Sequence, residues 1–393
     1  MKECDFLAIA GIVAEFNPFH NGHKYIIDCA KRDGHKVFTV ISSNFVQRGE
    51  TAIISKFDRA KQALLGGADL VCELPCPWSM STAQNFAFGA VSQLVTLGVE
   101  ILYFGSESGD TERLVKAAEI IDSAEFQSCI KERINAPVTY AALRQEILSE
   151  FDPSLSDILS GPNDTLAVEY ISAAKKLGSK LEFKAVKRVG VGHNDTDASG
   201  EYANASSIRE KIIARDFNYI SKYMPYKSAE IFLQTDISYM ENIEIAVLSR
   251  LRTITAEELN RVPDVKEGIE NLIISAAREA TSLEELYTLI KSKRYTHARI
   301  RRIIMAAFIG IDNSFFKTEP PYVRILGFRR DAITLAPNYP RKPIVTKVSQ
   351  IDSLDEYSQK VFKTECRATD LFSLSFKKAK KSGADMTTPM IKY

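Results

Sequence analysis

The sequence lacks the features that would place it in a membrane or in an oxidising compartment. No run of 18 or more uncharged apolar residues occurs among the 393 residues, so a membrane-spanning helix is not expected. The first residues include acids where a signal peptide has only bases, which favours a cytoplasmic protein. The six cysteines show no paired spacing for zinc or disulfides, so we expect reduced, buried thiols. No motif specifies an oligomeric state.

The charges nearly cancel, at +1, but their signs are segregated along the chain. Residues 291–347 contain 13 Lys and Arg against 3 Asp and Glu, whereas residues 1–290 contain 30 against 41. Such segregation indicates either a solvated charged face or a polyanionic partner. Rings interleaved with bases are typical of single-stranded RNA binding, although Tyr295 could equally anchor a core. The candidate RNA-binding residues are Lys291, Lys293, Arg294, Tyr295, Arg299, Arg301, Arg302, Arg329 and Arg330.

Strands and helices alternate through the first two hundred residues. Their pattern predicts an α/β fold with a Rossmann-like parallel sheet, in which ligands bind at the carboxyl ends of the strands. Apolar, β-branched runs predict the strands 6–14, 36–42, 70–74, 101–104 and 183–188. We expect a nucleotide-binding domain over 1–215, a helical region over 216–310 and a small basic α/β unit facing RNA over 311–393.

The most informative segment joins the first predicted strand to the first helix through His20, Asn21, Gly22 and His23. A strand end followed by a helix N-terminus presents unpaired N–H groups and the positive end of the helix dipole to an anion. Gly22 lets the backbone come close, and the two imidazoles are placed to reach one phosphate chain. The segment therefore predicts a nucleotide-activating site with His20 and His23 as catalytic residues.

A second helix N-terminus carries Ser206 and Arg209. The hydroxyl either caps backbone N–H groups or, together with the guanidinium, binds phosphate. Both alternatives stay open on the sequence alone.

Seven further motifs point to one family. They are VAEFNPFHNGH (13–23), NFVQRGE (44–50), FGSE (104–107), PNDTLAVEY (162–170), KRVG (187–190), KRYT (293–296) and RILGF (324–328). With these motifs the chain resembles, over nearly its whole length, the tRNA(Met) cytidine acetate ligases, which are nucleotidylyltransferases with His-x-Gly-His sites.

The resemblance implies an ATP-dependent ligase that activates acetate as acetyl-adenylate and acetylates N4 of the wobble cytidine in elongator tRNA(Met). It implies ATP with its Mg²⁺ and acetate as a co-substrate, and no carboxylate cluster predicts protein ligands for the metal. Gln47, Arg48 and Lys56 are candidates to hold acetate or the RNA end of the site. The implied ATP-binding residues are Val13, Ala14, Glu15, Phe16, Asn17, Pro18, Phe19, His20, Asn21, Gly22, His23, Lys24, Tyr25, Ile26, Gly105, Asn163 and Arg188.

Two other functions compete with this interpretation. A small-molecule adenylyl- or cytidylyltransferase would share the chemistry, but a metabolite needs no basic stretch such as 291–347. A non-catalytic RNA-binding protein would have no need for two imidazoles beside a glycine at a helix N-terminus.

Overall fold

The computed structural model describes residues 8–134, 138–188, 200–266, 268–292 and 295–393. Its ten strands, labelled in chain order, are β1 (Ile9–Ala14), β2 (Lys36–Ser42), β3 (Phe45–Val46), β4 (Glu50–Thr51), β5 (Leu70–Leu74), β6 (Ile101–Ser106), β7 (Glu182–Lys187), β8 (Val323–Phe328), β9 (Ile344–Val345) and β10 (Ile391–Lys392). Eight of them form one sheet in the order β10-β8-β5-β2-β1-β6-β7, with β9 paired to β8, while β3 and β4 form a separate hairpin.

The centre of the sheet is parallel, which confirms the predicted fold class. β1 pairs in parallel with β2 and β6, β2 with β5, and β6 with β7. The strands predicted at 36–42 and 70–74 are found with the same bounds. Because parallel strands end at one edge, β1, β2, β5, β6 and β7 all deliver the residues that follow them to the same side of the molecule.

Helices cover both faces of the sheet, as strands buried on two sides require. Alternate residues of β1 divide between the faces: Ala10 and Ile12 pack with helical residues of 21–32 and 56–65, whereas Gly11 leaves room for Leu94. The helices of this part are α1 (Asn21–Arg32), α2 (Lys56–Leu65), α3 (Cys76–Ser79), α4 (Ala83–Thr96), α5 (Thr111–Asp122), α6 (Ala124–Arg133), α7 (Tyr140–Phe151), α8 (Pro162–Lys176) and α9 (Ala205–Ile213).

The middle of the chain is helical, as its pattern predicts. The segment 217–234 is divided into short helices, and the first of them ends before Pro225, which lacks the N–H needed to continue it. The helices are α10 (Phe217–Tyr223), α11 (Tyr226–Ala229), α12 (Ile231–Gln234), α13 (Glu244–Thr253), α14 (Ala256–Asn260), α15 (Ile269–Glu279), α16 (Leu283–Ile290) and α17 (His297–Ile309).

The C-terminal part does not form a sheet of its own, which corrects the α/β unit predicted for 311–393. β8 pairs antiparallel with β5 and places Arg324 beside Glu73, so this part extends the first sheet. Two helices, α18 (Glu356–Phe372) and α19 (Ala384–Thr387), then pack near the carboxyl ends of β2 and β5. Every residue of β8 is buried, and the buried charge cluster described below further connects the last eighty residues with the first hundred.

Within the described ranges, no helix combines the length and the apolar character needed to cross a membrane. The five described cysteines are free thiols, with Cys72 and Cys76 buried and Cys29, Cys129 and Cys366 half-buried. Reduced thiols were expected, and full burial is found for two of the five.

Candidate active site

The loop between β1 and α1 is held from two directions. Phe16 has a φ of 47°, an unusual backbone conformation for an aromatic residue. The Asn17 side-chain oxygen accepts a hydrogen bond from the Ile53 N–H at 2.8 Å, and its backbone oxygen accepts one from Arg209 Nη1 at 2.9 Å. These bonds fix where α1 begins and therefore where its first side chains point.

His20 and His23 cap α1 reciprocally. His20 is the N-cap residue, and its Nδ1 accepts the Gly22 N–H at 3.1 Å, while His23 Nδ1 accepts the His20 N–H at 3.3 Å. The two rings stack with centroids 3.8 Å apart. An Nδ1 that accepts a hydrogen bond cannot carry the proton of a neutral imidazole, so both rings carry it on Nε2. Two N–H donors therefore lie side by side at the wall of the cavity described below.

The surroundings keep both imidazoles uncharged. Burial, with the positive charges of Arg188 and Arg209, lowers the pKa of His20 to about 3. Burial, the neighbouring His20 and Arg188 hold the pKa of His23 well below its ordinary value. At neutral pH the pair is thus a double hydrogen-bond donor rather than a source of charge, and the charge comes from the arginines.

A cavity that is partly open to solvent lies against this pair at the ends of β6 and β7. One part is aromatic and apolar, with Tyr25 and Tyr202 in edge contact at 6.1 Å between ring centroids. The other part is polar, with the imidazoles facing the exposed Lys187 and Arg188. The lining residues are His20, Gly22, His23, Tyr25, Ile26, Gly105, Val186, Lys187, Arg188, Tyr202 and Ala203. A flat base and an anionic tail would each meet a suitable wall.

The structure brings together seven of the residues assigned to ATP from the sequence, namely His20, Gly22, His23, Tyr25, Ile26, Gly105 and Arg188. Asn163 does not line this cavity, because its amide donates to the Glu107 carboxylate, which also accepts the Asp164 N–H at 2.8 Å. The rest of the 13–24 segment forms the end of β1, the loop and the first turn of α1.

Four lining residues were missed from the sequence. Lys187 could have been found, since it adjoins Arg188 at a strand end, and Val186 precedes it. Tyr202 and Ala203 stand just before α9 and carry no local signal, because only the packing of that helix brings them to α1.

Lys56 is not a substrate contact, which corrects the sequence prediction. Its ammonium is fully buried and lies 2.6 Å from both Glu73 and Glu365 and 2.7 Å from Asp385. Burial alone would lower the pKa of Lys56, but the three carboxylates outweigh it and raise that pKa. Burial and the nearby Glu365 raise the pKa of Glu73 to about 7. Arg324 completes this ionic cluster, which joins β5, β8, α2, α18 and α19.

The other two residues of that prediction lie in the β3–β4 hairpin. The Gln47 N–H donates to Glu15 Oε1 at 2.9 Å, and Arg48 is exposed at the turn. Gly49 has a φ of +73°, and a Cβ there would lie 2.6 Å from the Arg301 backbone. The hairpin therefore packs between α17 and the loop after β1.

The cap of α9 is Asn204, so the serine-cap alternative is wrong. Asn204 Oδ1 accepts the Ser207 N–H at 2.7 Å. The exposed Ser206 hydroxyl instead accepts from Arg209 Nη2 at 3.1 Å. This leaves the phosphate role as the remaining alternative for Ser206 and Arg209.

Several residues predicted to bind RNA have structural partners. Tyr295 is buried and donates its hydroxyl to the Lys266 carbonyl at 3.0 Å, so the core-anchor alternative is the correct one. Arg301 and Arg302 pair with Glu50 and Asp264. Arg299 donates to the Asp264 carbonyl, and Arg329 to the carbonyls of Leu64 and Ala68. Lys291 and Arg330 are exposed, and Lys293 and Arg294 lie outside the described residues.

A parallel sheet that presents paired imidazole donors at a helix N-terminus, with arginines beside them, defines a nucleotidyl transferase. In agreement, the profile of the HIGH Nucleotidyl Transferase family matches residues 7–386.

Relatives of known name cover the same length. The chain is 37% identical to the tRNA(Met) cytidine acetate ligase of Thermoanaerobacter sp. (strain X514), over 98% of this chain and all of that protein. It is 33% identical to the Acetivibrio thermocellus protein of the same name, again over 98% of this chain and all of the relative.

Solved structures of Thermotoga maritima TmcAL have the same fold. The apo crystal structure superposes with a TM-score of 0.92 at 30% identity, covering 98% of this chain and 99% of the other. The structure of that protein bound with alpha-thio ATP gives 0.90 at 29% identity, with the same coverage. The chain therefore belongs to the HIGH nucleotidyl transferases and, within them, to the tRNA(Met) cytidine acetate ligase family.

Proposed function

We propose that this enzyme uses ATP to activate acetate as acetyl-adenylate and transfers the acetyl group to N4 of the wobble cytidine in elongator tRNA(Met), giving N4-acetylcytidine. The observation that carries the proposal is the pair of Nε2–H donors of His20 and His23 at the wall of a cavity with an aromatic half and a basic half. With tRNA as its substrate, we place the enzyme in the cytoplasm.

Activation comes first because the lone pair of the cytosine amine is delocalised into the ring, and free acetate does not acylate it. An acetate oxygen attacks the α-phosphorus of ATP, and pyrophosphate leaves. The step depends on positioning and on stabilising charge on phosphate oxygens. The imidazole donors serve those oxygens, while Arg188 and Arg209 supply positive charge without a covalent intermediate on the enzyme.

The adenosine part would occupy the aromatic half of the cavity, between Tyr25, Ile26 and Tyr202. We extend the binding set to Lys187 and to Ser206, which stands beside the Arg209 guanidinium. A relative of the same fold solved with alpha-thio ATP bound supports ATP as the nucleotide.

Magnesium would arrive bound to the ATP phosphates. Among the residues described, no group of three His, Cys, Asp or Glu side chains is placed to hold a metal ion. We therefore assign no residue of the chain to the metal, whose chemistry is to neutralise charge on the phosphates.

For tRNA docking we retain Lys291, Arg330, Lys293 and Arg294, together with the exposed Arg48. Lys291, Arg330 and Arg48 are exposed on the surface, where they can contact phosphates. The buried or paired members of the predicted set hold the fold instead.

Acetate-dependent exchange of labelled pyrophosphate into ATP tests the proposal. We expect exchange with acetate and none with larger carboxylates or phosphate esters. Exchange with a phosphate ester would support a small-molecule nucleotidyl transferase instead, and no exchange in any mixture would support a non-catalytic RNA-binding protein. Mass spectrometry of tRNA nucleosides after incubation with ATP and acetate then tests for N4-acetylcytidine.

A further inference from the structure

A fixed carboxylate stands at the carboxyl end of β1. Glu15 directly follows β1, and its backbone oxygen accepts a hydrogen bond from Arg59 Nη1 at 2.6 Å. Its side-chain Oε1 accepts the Gln47 N–H at 2.9 Å, from the hairpin that continues β2. Glu15 thus stands at the carboxyl end of β1, in the loop that leads to His20 and His23.

Arg209 connects Glu15 with the histidine pair. It is half-buried, and burial lowers its pKa while the nearby Glu15 opposes that effect. The same guanidinium lowers the pKa of His20, so its charge reaches both groups. Arg209 Nη1 also donates to the Asn17 carbonyl at 2.9 Å, two residues after Glu15, so the carboxylate, the guanidinium and the histidine pair meet at the loop between β1 and α1.

The transfer half-reaction needs a proton acceptor. When the cytidine amine attacks the acetyl carbonyl, its nitrogen gains a bond and must lose a proton. The histidines are poorly suited, because their Nδ1 lone pairs are engaged by backbone N–H groups and their Nε2 atoms already carry protons. Arg209 and Arg48 cannot accept one. A carboxylate with a second oxygen, Oε2, can.

We propose that Glu15 accepts the proton of the cytidine amine during acetyl transfer, a role that rests on the proposed function. The N4–C bond forms, the bond from the acetyl carbon to the phosphate oxygen breaks, AMP leaves with the electron pair of that bond, and the proton moves from N4 to the Glu15 carboxylate. No base is needed in the first half-reaction, because no proton is removed from acetate there.

Separate assays of the two half-reactions test this role. Glu15→Gln keeps the side chain's size and an oxygen that can accept the Gln47 N–H, but it removes the base. We expect acetate-dependent pyrophosphate exchange within threefold of wild type and single-turnover acetylation of tRNA slowed about 10²- to 10³-fold, the usual contribution of a general base. Glu15→Asp, which keeps a carboxylate one methylene shorter, should recover part of the transfer rate.

Hydroxylamine tests whether Glu15 acts as a base or only holds the β3–β4 hairpin in place. It is a strong nucleophile that needs little help to capture an acetyl-adenylate, so Glu15→Gln should form acetohydroxamate at the wild-type rate. A misplaced hairpin would reduce hydroxamate and tRNA products together, and that result would overturn the proposal. Glu210→Gln, which removes an exposed carboxylate beside Arg209, is the matched control and should leave all three rates unchanged.

The outcomes also separate this role from the proposed function. Full tRNA acetylation by Glu15→Gln would overturn only the role of Glu15. Wild-type protein that exchanges no pyrophosphate in the presence of acetate would overturn the proposed function and, with it, this role.

Discussion

The strongest prediction concerns the two functions of the His23 ring, which the structure assigns to different nitrogens. Nδ1 accepts the His20 N–H, and Nε2 donates at the cavity wall. His23→Ala removes both functions. His23→Asn removes only the second, because the asparagine Oδ1 is attached to Cγ just as the histidine Nδ1 is.

The magnitudes follow from the contacts. A hydrogen bond to a charged phosphate oxygen contributes about 1.5–3 kcal/mol, so losing it should slow acetate-dependent exchange about 10- to 150-fold in both variants. Loss of the cap acceptor costs about 1 kcal/mol, so His23→Ala should be less stable than His23→Asn by about that amount. Both variants also lose the edge contact between His23 and Phe16 at 4.9 Å.

Pyrophosphate exchange and urea unfolding measure the two effects independently, and tRNA affinity should stay near wild type in both variants. Exchange at the wild-type rate in His23→Asn but not in His23→Ala would contradict the donor role of Nε2. The ring would then serve only to cap the helix, and the catalytic donor would have to be another group.

Four further predictions follow from other contacts. Gly22→Ala places a Cβ 2.9 Å from His20 Cε1, so the imidazole ring must shift. Pyrophosphate exchange should then fall about 100-fold, and a loss of orientation alone should give the same fall at saturating ATP. The pKa of His20 is about 3 in the folded protein and about 6.5 in the unfolded chain, so the stability that its neutral ring contributes above pH 6.5 is lost as the pH falls toward 3. In His20→Asn, the urea midpoints at pH 7.5 and pH 5 should differ less than they do in the wild type. Lys56→Met leaves buried carboxylates without their shared cation and should destabilise by about 3–5 kcal/mol in urea; a loss under 1 kcal/mol would contradict the ionic cluster. Replacing Lys293 and Arg294 with Glu should weaken tRNA binding in filter assays, more at low salt, and spare exchange; unchanged affinity at low salt would contradict a docking role.

The ionic cluster around Lys56 shows how a local interpretation goes wrong. In sequence, Lys56 follows the NFVQRGE motif at a strand end, where a cation would meet an anionic ligand. Its partners Glu365 and Asp385 stand some three hundred residues later, and no local pattern relates them to it. The same distant pairing explains why β8 joins the first sheet through Arg324 and Glu73.

The basic stretch at 291–347 shows a different error, in which composition suggests a binding surface although several of the charges have partners within the fold. Its charge is real, but Arg301, Arg302 and Arg329 are bound to carboxylates or carbonyls of other elements, and Tyr295 is in the core. Composition counts charges without showing which of them are already paired.

The sequence by itself determined the alternation that makes a parallel sheet, the helix that begins at His20 and the spacing that lets two imidazoles cap it, because these depend on side-chain period and on contacts within four residues. Tertiary structure alone decided that Tyr202 faces Tyr25, that Arg209 reaches the loop after β1 and that Lys56 is buried, because each requires elements distant in sequence to pack together. Catalytic geometry that depends on contacts within four residues can be predicted from a single sequence, whereas the boundaries of the pocket cannot.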